Sequence, residues 1–403
     1  MLLVQKYGGT SVGTPARIRR VADTIAARQK AGDRIVVVVS AMGHSTDRLT
    51  ALAEEVTSHP SRREMDMLLT AGERISMALL SMALHARGVP AISFTGSQSG
   101  IITDTAHTRA RILEIRPVRI GPELERGRVV IVAGFQGVSR EKEVTTLGRG
   151  GSDTSAVALA VGLRTDLCEI YTDVPGVMTA DPRAVPGGRL LPQVSWDTML
   201  EMACCGAGVM HARAVDLARR RRLPFHVRSA FSRKEGTVVQ GDAMESGPVV
   251  AAVTGLARVA EVRLSGLALS PVARAAFFEA LDALLEDLAG LHQYSEGDRA
   301  HVAFHIPVIP EAEDILARLR ELTERHGGRM SVSMEHAAVS LVGTGVLDAP
   351  AVAARAYRAL AEAGVAPASF QSGNLSLTFL VPREGYTEAQ RALHPDLVSA
   401  EAD

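Results

Sequence analysis

Uninterrupted apolar runs alternate with helical patterns through the first half of this 403-residue chain. Ile35–Ser40 reads Ile-Val-Val-Val-Val-Ser, and Val129–Gly134 is apolar in the same unbroken way. Strands of this kind are buried on both faces, which is typical of a mostly parallel sheet with helices on either side. Four further strands are predicted at Leu2–Lys6, Ala91–Phe94, Glu169–Thr172 and Phe225–Arg228. The pattern predicts a three-layer α/β/α domain.

The segment after the first strand has the signals of an amphipathic helix. Thr14 and Pro15 are typical of the N-cap and first helical position, and Gly32 is typical of the end. Its predicted buried face is Ile18, Val21, Ala22, Ile25 and Ala26. Ligands of such folds bind at the carboxyl ends of the strands. Those ends are Lys6-Tyr7-Gly8-Gly9, Ser40-Ala41-Met42-Gly43, Gly134-Phe135 and Thr172-Asp173.

The pattern changes near Ser246-Gly247-Pro248, which predicts a catalytic domain at 1–247. Residues 248–386 are expected to form two small α+β units of βαββαβ type, with short strands at Val339–Gly343 and Leu375–Val381. Their helices are predicted at Ala273–Leu288, Glu311–Glu324 and Ala351–Ala363. Residues 387–403 are expected to be a polar tail with at most a short helix.

Composition excludes several classes of function. The formal net charge of -1 gives no field that would attract nucleic acid or a membrane surface. Cys168, Cys204 and Cys205 lack zinc-ligand spacing and favour a reducing cytoplasm. The N-terminus does not resemble a signal peptide, and no apolar run is expected to span a bilayer.

Lys6-Tyr7-Gly8-Gly9-Thr10-Ser11 follows a predicted buried strand and precedes a helix. Adjacent glycines let backbone N–H groups approach phosphate oxygens closely, and a lysine at the strand end can reach a transferring phosphoryl group. The alternative is an ordinary glycine turn with a surface lysine. The chain has only four lysines, Lys6, Lys30, Lys142 and Lys234, which favours a functional role for Lys6.

Thr146-Leu147-Gly148-Arg149-Gly150-Gly151-Ser152-Asp153 is a more specific motif. Its glycines lead into a helix predicted over Thr154–Val161, whose N-terminus favours anions. Arg149 can bind a carboxylate through two hydrogen bonds, and Asp153 could hold Lys6 by a charge-assisted bond. The alternative is a glycine-rich loop capped by Ser152, with Asp153 stabilising the helix dipole.

Two further segments have weaker signals. Tyr171–Arg183 is a long loop after a strand; its Pro-Gly and Asp-Pro pairs mark turns, so a surface loop is the default interpretation. Gly72 beside Glu73 in a predicted helix costs about 1 kcal/mol relative to alanine, which indicates close approach of a ligand or another element.

Together with Ser40-Ala41-Met42-Gly43 and Gly72-Glu73-Arg74, these three segments resemble the aspartokinases of the amino-acid kinase superfamily. The resemblance runs along the whole chain and is densest before about Gly241. It implies transfer of the ATP γ-phosphate to the β-carboxylate of L-aspartate, with Mg²⁺ carried mainly by the phosphates and no metal-binding residue cluster. It also implies a cytoplasmic homodimer or larger oligomer, paired through C-terminal units that resemble ACT domains.

The resemblance assigns roles to individual residues. Lys6 and Asp153 are the expected catalytic residues, Lys6 stabilising the transferring phosphoryl group and Asp153 orienting Lys6. Arg149 is expected to bind the α-carboxylate of aspartate and Glu73 its ammonium group. The other expected aspartate-binding residues are Ser40, Thr46 and Ser152. The expected nucleotide-binding residues are Gly8, Gly9, Thr10, Thr172, Asp173, Asp181 and Arg183.

The chain departs from the family pattern at several positions. Met178 stands where an aromatic residue is usual and Gly208 where a lysine is usual, both on the nucleotide side. In the C-terminal units Val272 and Ala351 replace glycines that follow proline, and Tyr294 replaces an asparagine. The changes at Met178 and Gly208 predict weaker binding of ATP. The changes in the C-terminal units predict weak inhibition, or none, by lysine and threonine.

Three alternatives stay open at this point. The chain could be an amino-acid kinase for another carboxylate or for a nucleotide, or a pseudo-kinase that binds amino acids without turnover. The gene could also produce a separate subunit beginning at Met244.

Overall fold

A computed structural model describes residues 1–165, 167–232, 234–242, 250–285, 288–308, 312–347 and 349–398. The chain divides into two compact units. The first comprises Met1–Val177, Leu190–Ala203 and Gly208–Ala243, and the second comprises Met178–Arg189, Cys204–Ala207 and Met244–Asp403. The boundary predicted near Ser246-Gly247-Pro248 lies outside the described residues, so the domain limits 1–247 and 248–386 stay predictions.

The first unit alternates strands and helices along the chain. Its strands are β1 (Leu2–Tyr7), β2 (Arg34–Val39), β3 (Ala91–Phe94), β4 (Ile101–Thr103), β5 (Ile112–Ile115), β6 (Val129–Ala133), β7 (Gln136–Ser139), β8 (Val144–Thr146), β9 (Leu167–Thr172), β10 (Gln193–Val194), β11 (Phe225–Ser229) and β12 (Thr237–Val239). Its helices are α1 (Pro15–Lys30), α2 (Ser45–Val56), α3 (Arg62–His85), α4 (Ile120–Glu125), α5 (Gly151–Gly162), α6 (Trp196–Cys204) and α7 (Ala212–Arg220).

Eight of these strands form one sheet in the order β10-β12-β11-β9-β1-β2-β6-β3, parallel except at the β11–β12 pair. Strand β2 explains the unbroken apolar runs, because Ile35 is 1% exposed and Val36 to Val39 are fully buried. Alternate side chains pack against α1 and α3, while α5 covers β1, β2 and β9. The three-layer prediction is confirmed. A second sheet, β5-β4-β7-β8, was not predicted.

Helix α1 forms as its sequence pattern predicts. The Thr14 hydroxyl accepts a hydrogen bond from the Arg17 amide at 3.3 Å, Pro15 occupies the first turn, and the chain leaves the helix through Gly32 at φ 91°. The five residues of the predicted apolar face, Ile18, Val21, Ala22, Ile25 and Ala26, are all buried. Local capping and burial therefore specify the same helix.

Helix α3 corrects one expectation. By length and composition alone it is apolar enough to cross a membrane, so the inference that no run could span a bilayer was wrong on that criterion. Its inner face packs against β3 and β6 and carries buried Asp66 and Glu73, as the core helix of the first unit.

The second unit is built on one antiparallel sheet, β14-β15-β13-β16-β18-β17. Its strands are β13 (Ala252–Leu267), β14 (Ala289–Glu296), β15 (Arg299–Pro307), β16 (Arg329–Val342), β17 (Ser369–Ser372) and β18 (Ser376–Pro382). Its helices are α8 (Pro271–Leu284), α9 (Ala312–Arg325), α10 (Ala349–Glu362) and α11 (Tyr386–Leu397), with short 3-10 turns at Thr344–Leu347 and Arg383–Gly385.

The long strands β13 and β16 each serve two cores. Val262 and the far half of β13 pack with α8 and α9, whereas Val253 and the near half pack with α10 and α11. Each half has the βαββαβ arrangement, and in the second half the β13 segment closes the unit. The paired units are confirmed, and the strand predicted at Leu375–Val381 is β18. Val339–Gly343 was predicted as a short strand but forms the end of the 14-residue β16, which pairs with the 16-residue β13.

Residues 387–397 also differ from expectation. They belong to α11, which buries Ala389, Leu393 and Leu397 in the core beside β16 and β18. This segment is a structural helix of the second unit and not a polar tail. Residues 399–403 lie outside the described part of the chain.

Candidate active site

The loops after β1 and β2 lie against each other at the carboxyl edge of the large sheet. The Ser40 amide donates to the Tyr7 carbonyl at 3.1 Å, and the Gly43 amide donates to the Gly9 carbonyl at 3.0 Å. A Cβ at Gly9 would lie 2.8 Å from the Ala41 carbonyl oxygen, so only glycine fits there without a shift. Glycine at position 9 is thus required by the close approach of the two strand ends.

Lys6 and Asp153 meet on the face of the sheet covered by α5. Lys6 Nζ lies 2.6 Å from Asp153 Oδ1, and the two side chains are 12% and 11% exposed. A Cβ at Gly8 would lie 3.4 Å from that ammonium group, so Lys6 is placed directly beside the glycine backbone. The contact expected between the strand end and the first turn of α5 is present.

The loop that carries Arg149 depends on left-handed glycines. Gly148 has φ 76° and Gly150 has φ 63°, and Gly150 is the N-cap of α5. A Cβ at Gly150 would lie 2.2 Å from His211 Cβ, so the loop also packs tightly on its far side. Arg149 is exposed between the two glycines. Ser152 lies inside the helix and does not cap it, which contradicts the alternative interpretation of the motif.

Glu73 is a buried carboxyl group on α3. Its side chain is 3% exposed, and Oε1 accepts a hydrogen bond from the Ala41 amide at 3.1 Å. Oε2 is buried and has no hydrogen-bond partner among the described residues. Burial raises the pKa of Glu73 to about 7. Next to it, a Cβ at Gly72 would lie 2.8 Å from Ala41 Cβ, which explains the helical glycine.

The other expected substrate residues lie near these strand ends. Ser40 follows β2, Thr46 lies in the first turn of α2, and both are half-buried. Thr10 is exposed, and its carbonyl accepts from Arg17 Nη1 at 2.8 Å. At the end of β9, the Thr172 hydroxyl donates to Asp173 Oδ1 at 3.2 Å.

Asp181 and Arg183 belong to the second unit. Arg183 Nη2 lies 2.8 Å from Asp181 Oδ2, and Arg183 Nε donates to Oδ1 of the same carboxylate at 3.0 Å. Hydrogen bonding to Arg183 lowers the pKa of Asp181. The structure pairs these two predicted nucleotide-binding residues with each other.

This region also holds a buried acid that was not predicted from the sequence. Asp66 is fully buried on α3, seven residues before Glu73 and therefore on nearly the same helix face. It contacts His107, Thr108 and Thr146. The available signal was its spacing from Glu73, but His107 and Thr108 lie in an irregular loop and Thr146 at the end of β8, and no periodic pattern brings these residues together.

The positions expected to bind effectors have a different geometry from the one predicted. If Val272 needed the positive φ that the family's glycine can adopt, its β-branched side chain would strain the backbone there. Val272 instead lies in the first turn of α8, is 83% exposed and has no positive φ, so that reason for weak effector binding is wrong. Tyr294 is 51% exposed and stacks on His301 with ring centroids 4.8 Å apart. Ala351 lies in α10.

Among the described residues, three or more His, Cys, Asp or Glu side chains nowhere converge in a way that could hold a metal ion.

Comparison with known proteins agrees with the fold. A model of the amino acid kinase family matches residues 1–229, and an ACT-domain model matches residues 339–397. The solved structure of Escherichia coli aspartokinase III in complex with aspartate and ADP covers 98% of this chain and all of that chain, with a TM-score of 0.84 and 26% identity. An aspartate kinase structure from Synechocystis is 37% identical and covers all of this chain and 71% of its own, with a TM-score of 0.56. Fold and site thus define an amino acid kinase.

Curated relatives show which kind of amino acid kinase this is. The aspartokinase of Mycolicibacterium smegmatis is 44% identical over 405 residues, covering 98% of this chain and 95% of its own length. That of Thermus thermophilus is 43% identical over 400 residues, covering 98% of both. The chain belongs to the aspartokinase family and is an aspartate kinase.

Proposed function

We propose that this enzyme transfers the γ-phosphate of MgATP to the β-carboxylate of L-aspartate, giving 4-phospho-L-aspartate, and that the residues described above perform the transfer. The observation that carries the proposal is the Lys6–Asp153 contact of 2.6 Å beside the Gly8-Gly9 backbone. It provides a fixed positive charge at a strand end where phosphate can approach main-chain amides.

Lys6 stabilises the negative charge that develops on the transferring phosphoryl group. Asp153 holds the ammonium group in place, so little reorganisation is needed during the reaction. The aspartate β-carboxylate is already a nucleophile, and the reaction needs no strong general base. Gly8 and Gly9 provide amides beside the phosphates.

Arg149 and Glu73 read the two main-chain charges of aspartate. The Arg149 guanidinium binds the α-carboxylate in a fork geometry. The unpaired Glu73 Oε2 receives the ammonium group, which supplies the donor that this buried oxygen lacks. Ser40, Thr46 and Ser152 line the same pocket.

Thr10, Thr172, Asp173, Asp181 and Arg183 bind the nucleotide, with Mg²⁺ entering as part of the MgATP substrate. Met178 and Gly208 replace the aromatic residue and lysine usual in the family, so this enzyme binds the nucleotide more weakly than the family pattern implies. A Cβ at Gly208 would meet no atom within 4 Å, so there is room at that point for a side chain to begin. We further propose a cytoplasmic homodimer or larger oligomer formed through the second unit.

The test is a turnover assay of the purified full chain with MgATP and a panel of amino acids, trapping the acyl phosphate with hydroxylamine. Aspartate should be the preferred substrate. Lys6→Ala should reduce kcat by roughly 10²- to 10³-fold, as for loss of one group that stabilises transition-state charge. Lys30→Ala, which removes an exposed lysine from the end of α1, is the matched control. Aspartate binding without acyl phosphate would instead identify a pseudo-kinase.

A further inference from the structure

Asp66 is a buried carboxylate whose hydrogen bonds connect α3 to two loops of the first unit. It has no exposed surface. Oδ1 accepts from the Thr146 hydroxyl at 2.5 Å and from the Thr108 amide at 2.9 Å, and Oδ2 lies 2.6 Å from His107 Nδ1. A carboxylate only accepts hydrogen bonds, so the His107 ring donates at that nitrogen. One side chain thus holds three donors from two separate segments.

One of these segments continues directly into the loop that carries Arg149, and the other packs against that loop. Thr146 ends β8, three residues before Arg149, and its carbonyl accepts from the Ala110 amide at 2.8 Å. On the other side, a Cβ at Gly148 would lie 3.2 Å from the Thr108 carbonyl oxygen. The base of the Arg149 loop therefore rests on Thr108 and Thr146, two of the three residues that Asp66 binds.

The backbone conformation of Thr108 is a second indication that its hydrogen bond to Asp66 has a role. It has φ 69°, a left-handed conformation that is disfavoured for a β-branched residue. Such strain persists only where the surroundings hold it, and such sites cluster near functional groups. Asp66 supplies that restraint by accepting the Thr108 N–H. Arg213 strengthens the same frame, because its Nη1 donates to the Leu147 carbonyl at 2.6 Å and its Nη2 to the Ala110 carbonyl at 2.9 Å.

We propose that Asp66 is a positioning residue for the amino-acid substrate: through Thr108 and Thr146 it sets the loop that presents Arg149. It acts through that loop and does not touch the reacting groups. The inference rests on the proposed role of Arg149 in binding the aspartate carboxylate. Because Asp66 and Glu73 lie two turns apart on α3, one helix then fixes both ends of the aspartate main chain.

Asp66→Ala removes all three acceptor contacts, whereas Asp66→Asn can keep them. The asparagine carbonyl accepts from Thr108 and Thr146, and its amide can donate to His107 in the other ring tautomer. We expect Asp66→Ala to raise the KM for aspartate by about 10- to 100-fold, the size of effect expected from a substrate group displaced by about 1 Å. The KM for ATP should stay within about twofold, and Asp66→Asn should restore most of the lost affinity.

Glu123→Ala is the matched control for loss of a buried carboxylate. Glu123 is 9% exposed and accepts from Arg126 and Arg128, next to the N-terminal end of β6, away from the carboxyl ends of the strands. It should lower the unfolding midpoint without a selective change in the aspartate KM. Arg149→Lys serves as the positive control for a selective KM effect.

Hydrogen exchange of the full-length protein tests the loop without any reliance on turnover. Asp66→Ala should increase exchange at the amides of 106–110 and 146–151, and Glu123→Ala should not. Unchanged exchange there would overturn the proposal, and so would equal rises in both KM values. A wild-type enzyme that does not phosphorylate aspartate would defeat the proposed function, while the exchange comparison would still decide whether Asp66 holds the loop.

Discussion

Glu73 shows how one residue can be prepared for a ligand at a cost to stability. Its carboxyl group is nearly fully buried, yet one oxygen has no partner among the described residues. Burial disfavours the charged form and raises its pKa to about 7. A bound ammonium group would lower the pKa of Glu73 again, because it supplies both a hydrogen-bond donor and a positive charge.

The raised pKa of Glu73 predicts that the difference in unfolding free energy between wild type and Glu73→Gln depends on pH. Below about 4.5 the carboxyl is protonated in both folded and unfolded chains; as pH rises toward 7 only the unfolded chain ionises, so stability is lost. The unfolding free energy of Glu73→Gln relative to wild type should therefore rise between pH 4.5 and 7, by on the order of 3 kcal/mol. Urea titrations at several pH values measure it, with exposed Glu125→Gln as control. A pH-independent difference would contradict the prediction.

At the scale of elements, the loop between β8 and α5 depends on Gly150. An L-residue in its left-handed conformation costs about 1–2 kcal/mol, and a Cβ there would also overlap the His211 ring. Gly150→Ala should lower stability by more than this conformational cost and raise the KM for aspartate. Gly127→Ala is the matched control, because Gly127 has φ 74° with no atom within 4 Å of its Cβ position. Equal urea midpoints for the two variants would show that the packing against His211 is unimportant.

The elements that could be predicted are those with a local signal. Helix α1 has a cap and an apolar face, β2 is an unbroken apolar run, and both formed where expected. The Lys6–Asp153 contact followed from a strand end and a helix start that share one sheet edge. Strand β13 escaped prediction because register shifts between Leu256 and Val259 break its alternation. Asp66 escaped because its partners are distant in sequence and lie partly in irregular loops.

At the scale of the whole molecule, the sheet of the second unit predicts self-association. Its edge strands β14 and β17 expose Leu291, Tyr294 and Phe370, which are 47%, 51% and 43% exposed. Unpaired edge strands with apolar side chains favour pairing with another chain. Light scattering at micromolar concentration should give a mass above 42.7 kDa. Leu291→Lys should weaken the oligomer, whereas Val56→Lys, on exposed α2, should not. A monomeric wild type would exclude this assembly.

Regulation by amino acids is a second property of the whole molecule. At the start of α8, Pro271 has no amide hydrogen and the Ala273 amide donates to the Ser270 hydroxyl at 3.3 Å, so few N–H groups remain for an effector carboxylate. We predict that lysine and threonine inhibit weakly or not at all. Initial rates at saturating ATP with low-millimolar lysine, threonine or both measure this. Strong inhibition would show that an effector binds by other contacts.

The second unit is formed from three separate stretches of the chain, which limits how genes of this kind can recombine. Its sheet and helices bind segments that are encoded well upstream: the Val253 amide donates to the Thr179 carbonyl at 2.8 Å, and the Thr254 hydroxyl donates to the Cys205 carbonyl at 2.6 Å. Arg391 Nε likewise donates to the Ala184 carbonyl at 2.9 Å. A crossover near codon 244, or a transcript translated from Met244, would leave these donors without their acceptors. The C-terminal half is therefore inherited with two upstream loops, and a viable exchange between relatives must carry all three stretches together.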